Sequence, residues 1–243
     1  MAEEFASKDG ARRHVWQRLE RQRLARPPLP AHGRIPNFVG SQLAAERLFA
    51  EPPWRDAKIL KVNPDSAQLA VRVEALRRGM VLLVPTPKLA AGFMRLDPAH
   101  IDPADFPQAA AHQTMARWAQ PVALPELPQV DAIVTGCAAV TELGKRCGKG
   151  AGYSDLEFAV LLELGLQARP VATTVHDVQI VGDFPIAAND IPLSLICTPS
   201  RTLRIAPHAS PVGIQWDLLS DAKLRAMPVL GELRQLRQTP GQS

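Results

Sequence analysis

The sequence predicts an α/β protein: an open, mostly parallel sheet with helices on both faces. Three observations predict it. Short apolar runs at Ala57 to Val62, Met80 to Val84, Val130 to Thr135, Val171 to His176 and Leu193 to Thr198 lack the polar alternation of a half-exposed sheet, so they read as strands covered on both sides. Helical patterns lie between several of them, and strand, helix and strand in alternation build a parallel sheet. A glycine-rich loop, Gly136 to Gly152, runs from one such strand to an apolar helix, the place where ligands bind in open parallel sheets.

The elements follow in order. From Lys8 to about Leu24 the apolar Val15, Leu19 and Leu24 among charges predict an amphipathic helix, closed by Pro27, Pro28 and Pro30. Arg34 to Gly40 is a loop, and Ser41 reads as the N-cap of a short helix through Phe49 and Ala50. After Pro52-Pro53, the strand Ala57 to Val62, a helix from Ser66 to Arg78 and the strand Met80 to Val84 form a βαβ unit. The proline-punctuated segment Pro85 to Leu127 contains a helix around Gln108 to Trp118; the rest of it carries no readable order. Beyond the glycine loop an apolar helix from Tyr153 to Leu164 stops at Gly165, and Asp217 to Leu236 carries further helical segments. No repeat, linker or low-complexity run divides the chain, and 243 residues with 46% hydrophobic content can bury one full core. A single domain over 1–243 is expected, with the N-terminal helix at 8–24 and a disordered tail at 237–243.

Composition narrows the function classes. The longest apolar stretch, near Phe158 to Leu162, is far short of the roughly 20 residues of a membrane span. The start, Met1-Ala2-Glu3-Glu4-Phe5, is acidic and lacks the apolar run of a secretory signal, so a cytoplasmic protein is expected, with no membrane partner. The net charge of +4 and pI near 9.2 suit a phosphate backbone, yet much of the basic charge crowds into Arg12, Arg13, Arg18, Arg21, Arg23 and Arg26, and aromatics are only 5%. That pattern fits a solvated helix face with one or two members reaching an anionic small molecule better than it fits a nucleic-acid partner. Cys137, Cys147 and Cys197 form no C-x-x-C pair and read as reduced structural thiols; Cys147, beside the glycine loop, is not assigned to catalysis.

The loop carries the chemistry. Gly148, Gly150 and Gly152 let backbone N–H groups converge on an anion, and the helix that follows adds its positive end. Lys145, Arg146 and Lys149 supply cations, and Asp155 is the hard oxygen ligand that a phosphate-bound Mg²⁺ would use. The spacing matches neither the Walker loop nor the dinucleotide fingerprint, so a surface loop with Asp155 capping the helix stays open as the alternative.

Gly144-Lys145-Arg146-Cys147-Gly148-Lys149-Gly150-Ala151-Gly152-Tyr153-Ser154-Asp155 closely resembles the nucleotide loop of the 5-formyltetrahydrofolate cyclo-ligases, also called methenyltetrahydrofolate synthetases. Lys8 and Arg12 match the lysine and arginine that contact the ATP phosphates in that family. Arg34-Ile35-Pro36-Asn37-Phe38, Asn63-Pro64-Asp65-Ser66, Val84-Pro85-Thr86-Pro87 and Thr174-Val175-His176-Asp177-Val178-Gln179 look like the branch of methenyltetrahydrofolate synthetase domain-containing proteins. The resemblance runs from about Lys8 to Leu230 and implies a sheet shared with sugar-phosphate isomerases and CoA transferases. It implies an ATP- and Mg²⁺-dependent closure of 5-formyltetrahydrofolate to 5,10-methenyltetrahydrofolate with release of ADP and phosphate. On this resemblance Lys8, Arg12, Gly148, Lys149, Gly150, Ala151, Gly152 and Tyr153 bind the nucleotide, Arg146, Lys149 and Tyr153 assist catalysis, and Asp155 holds the metal.

The departures fall on the folate side. Asp65-Ser66-Ala67-Gln68 stands where the family has a glutamate-rich stretch, so Asp65 is the candidate contact to the pterin, and Tyr153-Ser154 replaces a double tyrosine. Two alternatives therefore accompany the cyclo-ligase reading: a nucleotide-dependent paralogue acting on another heterocycle, linked to thiamine metabolism, and a silent regulatory protein that kept the loop. His176-Asp177, at a strand end, is open between ligand contact and structure; Trp16 and Trp54 read as packing; Asn37-Phe38 either lines the pocket or pins a loop; Trp216 has no assigned role.

Overall fold

The computed structural model describes residues 3–209 and 211–238. Helix α1 (Lys8–Arg21) starts at Ser7, whose hydroxyl accepts the Gly10 amide, and turns Ala11, Val15, Trp16 and Leu19 inward as one stripe. It ends at Arg21 rather than Leu24, because Arg23 takes a left-handed φ of 56° and the chain enters β1 (Ala25–Arg26), antiparallel to β2 (Asn37–Phe38). Helix α2 (Ser41–Leu48) is capped by Gly40, not by Ser41. Gly40 has a φ of 80°, and a Cβ there would lie 2.8 Å from the Pro199 ring, so glycine is required on both counts.

Strand β3 (Ile59–Val62), a 3₁₀ turn at Ser66–Gln68, α3 (Leu69–Arg77) and β4 (Val81–Pro85) form the expected βαβ unit. The unreadable segment adds β5 (Phe93–Leu96), α4 (Phe106–Ala110) and β6 (Gln120–Val122). The helix expected around Gln108 to Trp118 is instead α4, extended backbone at Ala111 and a separate 3₁₀ turn at Met115–Arg117. Side chains take the carbonyls that would have continued it: Arg72 Nε donates to Ala110 O at 2.7 Å, and Thr114 Oγ1 donates to Gln108 O.

The second half holds β7 (Ala132–Val134), β8 (Ala139–Thr141), β9 (Arg146–Cys147), α5 (Tyr153–Glu163), β10 (Val171–Thr174), β11 (Ile180–Val181), β12 (Leu195–Cys197), β13 (Thr202–Arg204), α6 (Asp221–Ala226) and α7 (Pro228–Gln238). Sequence reading took Gly136 to Gly152 as one loop; it contains the β8–β9 hairpin, which β11 joins in a small sheet. Of the tail expected at 237–243, residues 237 and 238 belong to α7 and the remainder lies outside the described residues.

The main sheet runs β13-β12-β10-β7-β3-β4-β5-β6. Its centre, β12 to β4, is parallel, and antiparallel strands close both edges. The pleat divides the core. Leu60, Val62, Leu82, Val84, Ala132 and Val134 pack on the face shared with α2, α3 and α4. Leu83, Ile133 and Ile196 pack on the other, against α5 and α7. Among the described residues no helix is long and apolar enough to cross a membrane.

Chain order reverses between β3 and β7: β4 follows β3 on one side, while β7, β10 and β12 continue on the other. The carboxyl ends of β3 and β7 at this switch point leave a crevice that no crossover covers.

Candidate functional site

The crevice holds a cavity of about 280 Å³ walled by α1, the segment after β3, the glycine loop, the start of α5 and the segment 187–190. Gly136, just past β7, lets the chain pack closely on Ile35 and Gln68, since a Cβ there would meet Ile35 Cγ2 and Gln68 Oε1 at 2.9 Å. Below it the buried Arg72 guanidinium donates to the Asn63 carbonyl and, at 3.0 Å, to the Asp65 carbonyl, which fixes the chain as it leaves β3. Burial pulls the Arg72 pKa down to about 10, so it remains a cation at neutral pH.

Four cations surround the glycines. Lys8 and Arg12, one helical turn apart, share a face of α1. Arg12 Nε donates to Gly148 O at 2.6 Å, and its guanidinium carbon would stand 3.7 Å from a Cβ on Gly150, a residue with a φ of 109°. Lys8 forms an ion pair with Asp190. Lys149 Nζ lies 3.4 Å from Asp65 Oδ1. Lys223 of α6 donates to Ala151 O at 3.1 Å and lies over the Tyr153 ring, 5.8 Å from its centre. Gly152, with a φ of 67°, turns the loop into α5, and Ala151, Gly152 and Tyr153 line the same cavity.

Arg146 differs from these. Its side chain is only 2% exposed, and NH1 donates to Asp155 Oδ1 at 2.6 Å. Burial is the largest single influence and opposes its charge, but the Asp155 carboxylate together with Cys137 and Cys147 holds the guanidinium above its ordinary pKa. Arg146 Nε has no hydrogen-bond partner among the described residues. Asp155 Oδ1 also accepts the Ile191 amide at 3.1 Å, while Oδ2 accepts no hydrogen bond among the described residues. Asp155 does not cap α5, so the alternative of a simple capping residue falls. Its carboxylate, with one oxygen unpaired, suits a divalent cation that takes its other ligands from phosphate and water. Among the described residues no group of three His, Cys, Asp or Glu gathers as a metal cage.

Under the cavity lies a polar network that sequence reading missed. The pleat that sends Leu60 and Val62 to one face sends Lys61 to the other, toward α5. There Lys61 Nζ pairs with Glu157 Oε2, which also accepts Asn63 Nδ2 at 2.9 Å; Asn63 Nδ2 approaches Ser154 Oγ at 3.4 Å and its Oδ1 faces Lys61 Nζ at 3.4 Å. The two charged side chains are 2% and 6% exposed. Burial raises the Glu157 pKa, with Lys61 and Asn63 acting against that rise. The available signal was a single charge inside each of two apolar runs, Ile59-Leu60-Lys61-Val62 and Leu156-Glu157-Phe158-Ala159. Asp190 and Lys223 carried no local signal.

The remaining candidates are structural. His176 Nδ1 accepts the Val178 amide at 3.2 Å, capping the 3₁₀ turn Asp177–Gln179, and Asp177 accepts the Thr198 hydroxyl at 2.6 Å. Asn37 donates to Pro27 O and accepts the Phe38 amide, which pins its loop. Trp16 and Trp54 donate to the carbonyls of Arg34 and Ile133, and Trp216 carries the Arg234 guanidinium 4.7 Å from its ring centre. Burial pushes the Cys147 thiol up to about 11, so no reactive thiolate stands by the loop.

Comparison with known proteins gives the family and the fold. The model of the 5-formyltetrahydrofolate cyclo-ligase family matches residues 5–199. Methenyltetrahydrofolate synthase domain-containing proteins of Bos taurus and Mus musculus are 38% and 37% identical over 97% and 98% of this chain. The chain spans 64% and 66% of their lengths, just under two thirds. The solved structure of Aquifex aeolicus 5,10-methenyltetrahydrofolate synthetase superposes with a TM-score of 0.50 at 18% identity, covering 82% of this chain and 95% of that one, a likeness of fold.

Proposed function

Since the chain belongs to the 5-formyltetrahydrofolate cyclo-ligase family, we propose that it binds ATP with Mg²⁺ in the switch-point cavity and closes the ring of 5-formyltetrahydrofolate or a related heterocycle. The observation that carries this reading is one glycine loop whose backbone carbonyls hold Arg12 and Lys223, with Lys8 and Lys149 on aspartate partners in the same cavity wall, beside a carboxylate with an unpaired oxygen. In the cyclo-ligase reaction the γ-phosphoryl group of ATP passes to the formyl oxygen, N10 attacks the activated carbon, and phosphate leaves with that oxygen. The products are 5,10-methenyltetrahydrofolate, ADP and phosphate.

Such a reaction needs positioned charge rather than a protein nucleophile. Lys8 and Lys149 exchange their aspartate partners for phosphate oxygens, and Arg12 clamps the loop carbonyl through Nε, its NH1 lying 3.8 Å from Asp9 until the polyphosphate takes Asp9's place. Glycine at 148, 150 and 152 lets the phosphates approach the backbone. Arg146 acts through Asp155, holding its carboxylate in one orientation. Mg²⁺ at Asp155 would offset charge on the transferring group. Tyr153 forms the wall under Lys223, and Asp65, released from Lys149, meets the heterocycle.

The test is incubation with ATP, Mg²⁺ and 5-formyltetrahydrofolate. Methenyl absorbance rising in step with ADP supports the cyclo-ligase; ATP binding with no methenyl product at any folate concentration replaces it with the paralogue reading. The short Asp65 side chain in place of a glutamate keeps that second reading in play, and thiamine precursors are then the compounds to screen.

A further inference from the structure

Glu157 is more than 90% buried, lines the cavity and uses only one of its two oxygens. Oε2 is held by Lys61 and Asn63, whereas Oε1 accepts no hydrogen bond from any described residue and is not among the atoms sealed from solvent. Asn63 is fully engaged, with Nδ2 on Glu157 and Ser154 and Oδ1 facing Lys61. The floor of the cavity therefore presents a fixed carboxylate acceptor in Glu157 Oε1, beside the Ser154 hydroxyl, which accepts from Asn63. A buried acceptor left unmatched is costly, so the ligand seated there brings an N–H group. The cations at the rim take the phosphate end, which leaves the floor for the ring.

We propose that Glu157 is the specificity-determining residue of this cavity, its Oε1 accepting from the amino-substituted pyrimidine edge of the substrate heterocycle. The inference rests on the reading of the cavity as a heterocycle site and adds to Asp65 a contact on a different element. Asp65 sits on a loop and is shared with Lys149, whereas Glu157 is locked on a helix by two partners, so Glu157 discriminates and Asp65 adapts.

Fluorescence titration without ATP, using pterin and 4-oxopteridine (the same ring without the 2-amino group), tests this directly. Wild-type protein should prefer pterin by about tenfold or more, the scale on which a site built to pair a donor rejects an analogue lacking it. In Glu157→Gln, Lys61 holds the amide oxygen and an NH₂ faces the cavity, so the preference should vanish. Should that variant not fold, Lys61→Met/Glu157→Met removes the ion pair together, a change that buried pairs commonly tolerate, and should likewise lose the preference. Three results overturn the proposal: no preference in wild type, an unaltered preference in both variants, or an unaltered preference with weakened ATP binding, which would give Glu157 to the ribose. Because no turnover is involved, absence of methenyl product in the cyclo-ligase assay leaves this outcome independent.

Discussion

The rim and the floor of the cavity are both built from Lys–carboxylate pairs, but they answer to different physics. At the rim Lys149 and Asp65 are 45% and 19% exposed, and the pair is loose, at 3.4 Å. On the floor Lys61 and Glu157 are 2% and 6% exposed and share a neighbour in Asn63. Water screens the first pair, so either partner can be exchanged for a phosphate oxygen at little cost. The second pair was desolvated when the chain folded, and its members stay matched because separation would strand a charge. A mobile rim suits a polyanion that arrives and leaves; a rigid floor suits a ring that must be told from similar rings.

The largest expected effects break that contrast by removing one partner from each kind of pair. Lys61→Met leaves Glu157 buried without its cation and should destabilise the protein by about 3–5 kcal/mol, whereas Lys149→Ala should cost less than about 1 kcal/mol. Urea unfolding midpoints of the two variants decide it, and similar losses would erase the distinction. Asp155→Ala belongs with the floor, since it orphans Arg146, whose side chain is 2% exposed. It should unfold the protein partly as well as end Mg²⁺-dependent ATP binding. Asp155→Asn keeps an acceptor for Arg146 and should separate the two effects, losing metal dependence while staying folded.

A smaller effect on stability and a larger one on binding are expected at α1. Lys8→Ala should weaken ATP binding about tenfold, the scale of one charge-assisted contact, with little change in the thermal midpoint. Calorimetric titration beside a melting curve would show it, and equal losses in both would make the Lys8–Asp190 pair a structural strut.

How much of this was legible in the sequence follows the same division. The parallel centre was readable because β3, β4, β7, β10 and β12 are buried on both faces and mostly apolar, Lys61 in β3 and Thr173 and Thr174 in β10 being polar. The glycine loop was readable too, because its glycines, Lys145, Arg146, Lys149 and Asp155 sit together in twelve consecutive residues, whereas Asp190 and Lys223, which reach the rim from elsewhere in the chain, were not. The edge strands β5 and β6 were not. β6 carries Pro121 in three residues, where no run is long enough to show a period. The β8–β9 hairpin was hidden because Ala139, Val140, Cys147 and their glycine-rich surroundings read as loop. The floor went unread because a pleat and a helix turn, 96 residues apart, are needed to bring Lys61 to Glu157.

The smallest expected effect lies at neither rim nor floor. His176, half-buried at the end of β10, accepts the Val178 amide on Nδ1, and an accepting nitrogen cannot carry a proton. Burial lowers its pKa from 6.5; Asp177 works against that and Arg18 with it. The sign follows from proton uptake. Below about pH 6.5 the unfolded chain binds a proton that the folded protein refuses, so stability falls as pH drops through that value toward the lowered folded pKa. His176→Asn keeps a capping acceptor but cannot titrate, so its urea midpoint should decline less than that of wild type between pH 7 and pH 5.5. Parallel declines would mean that the imidazole tolerates its proton in place, and that the 3₁₀ turn at Asp177–Gln179 is held instead by the bond from the His176 amide to Gln179 Oε1, at 2.7 Å.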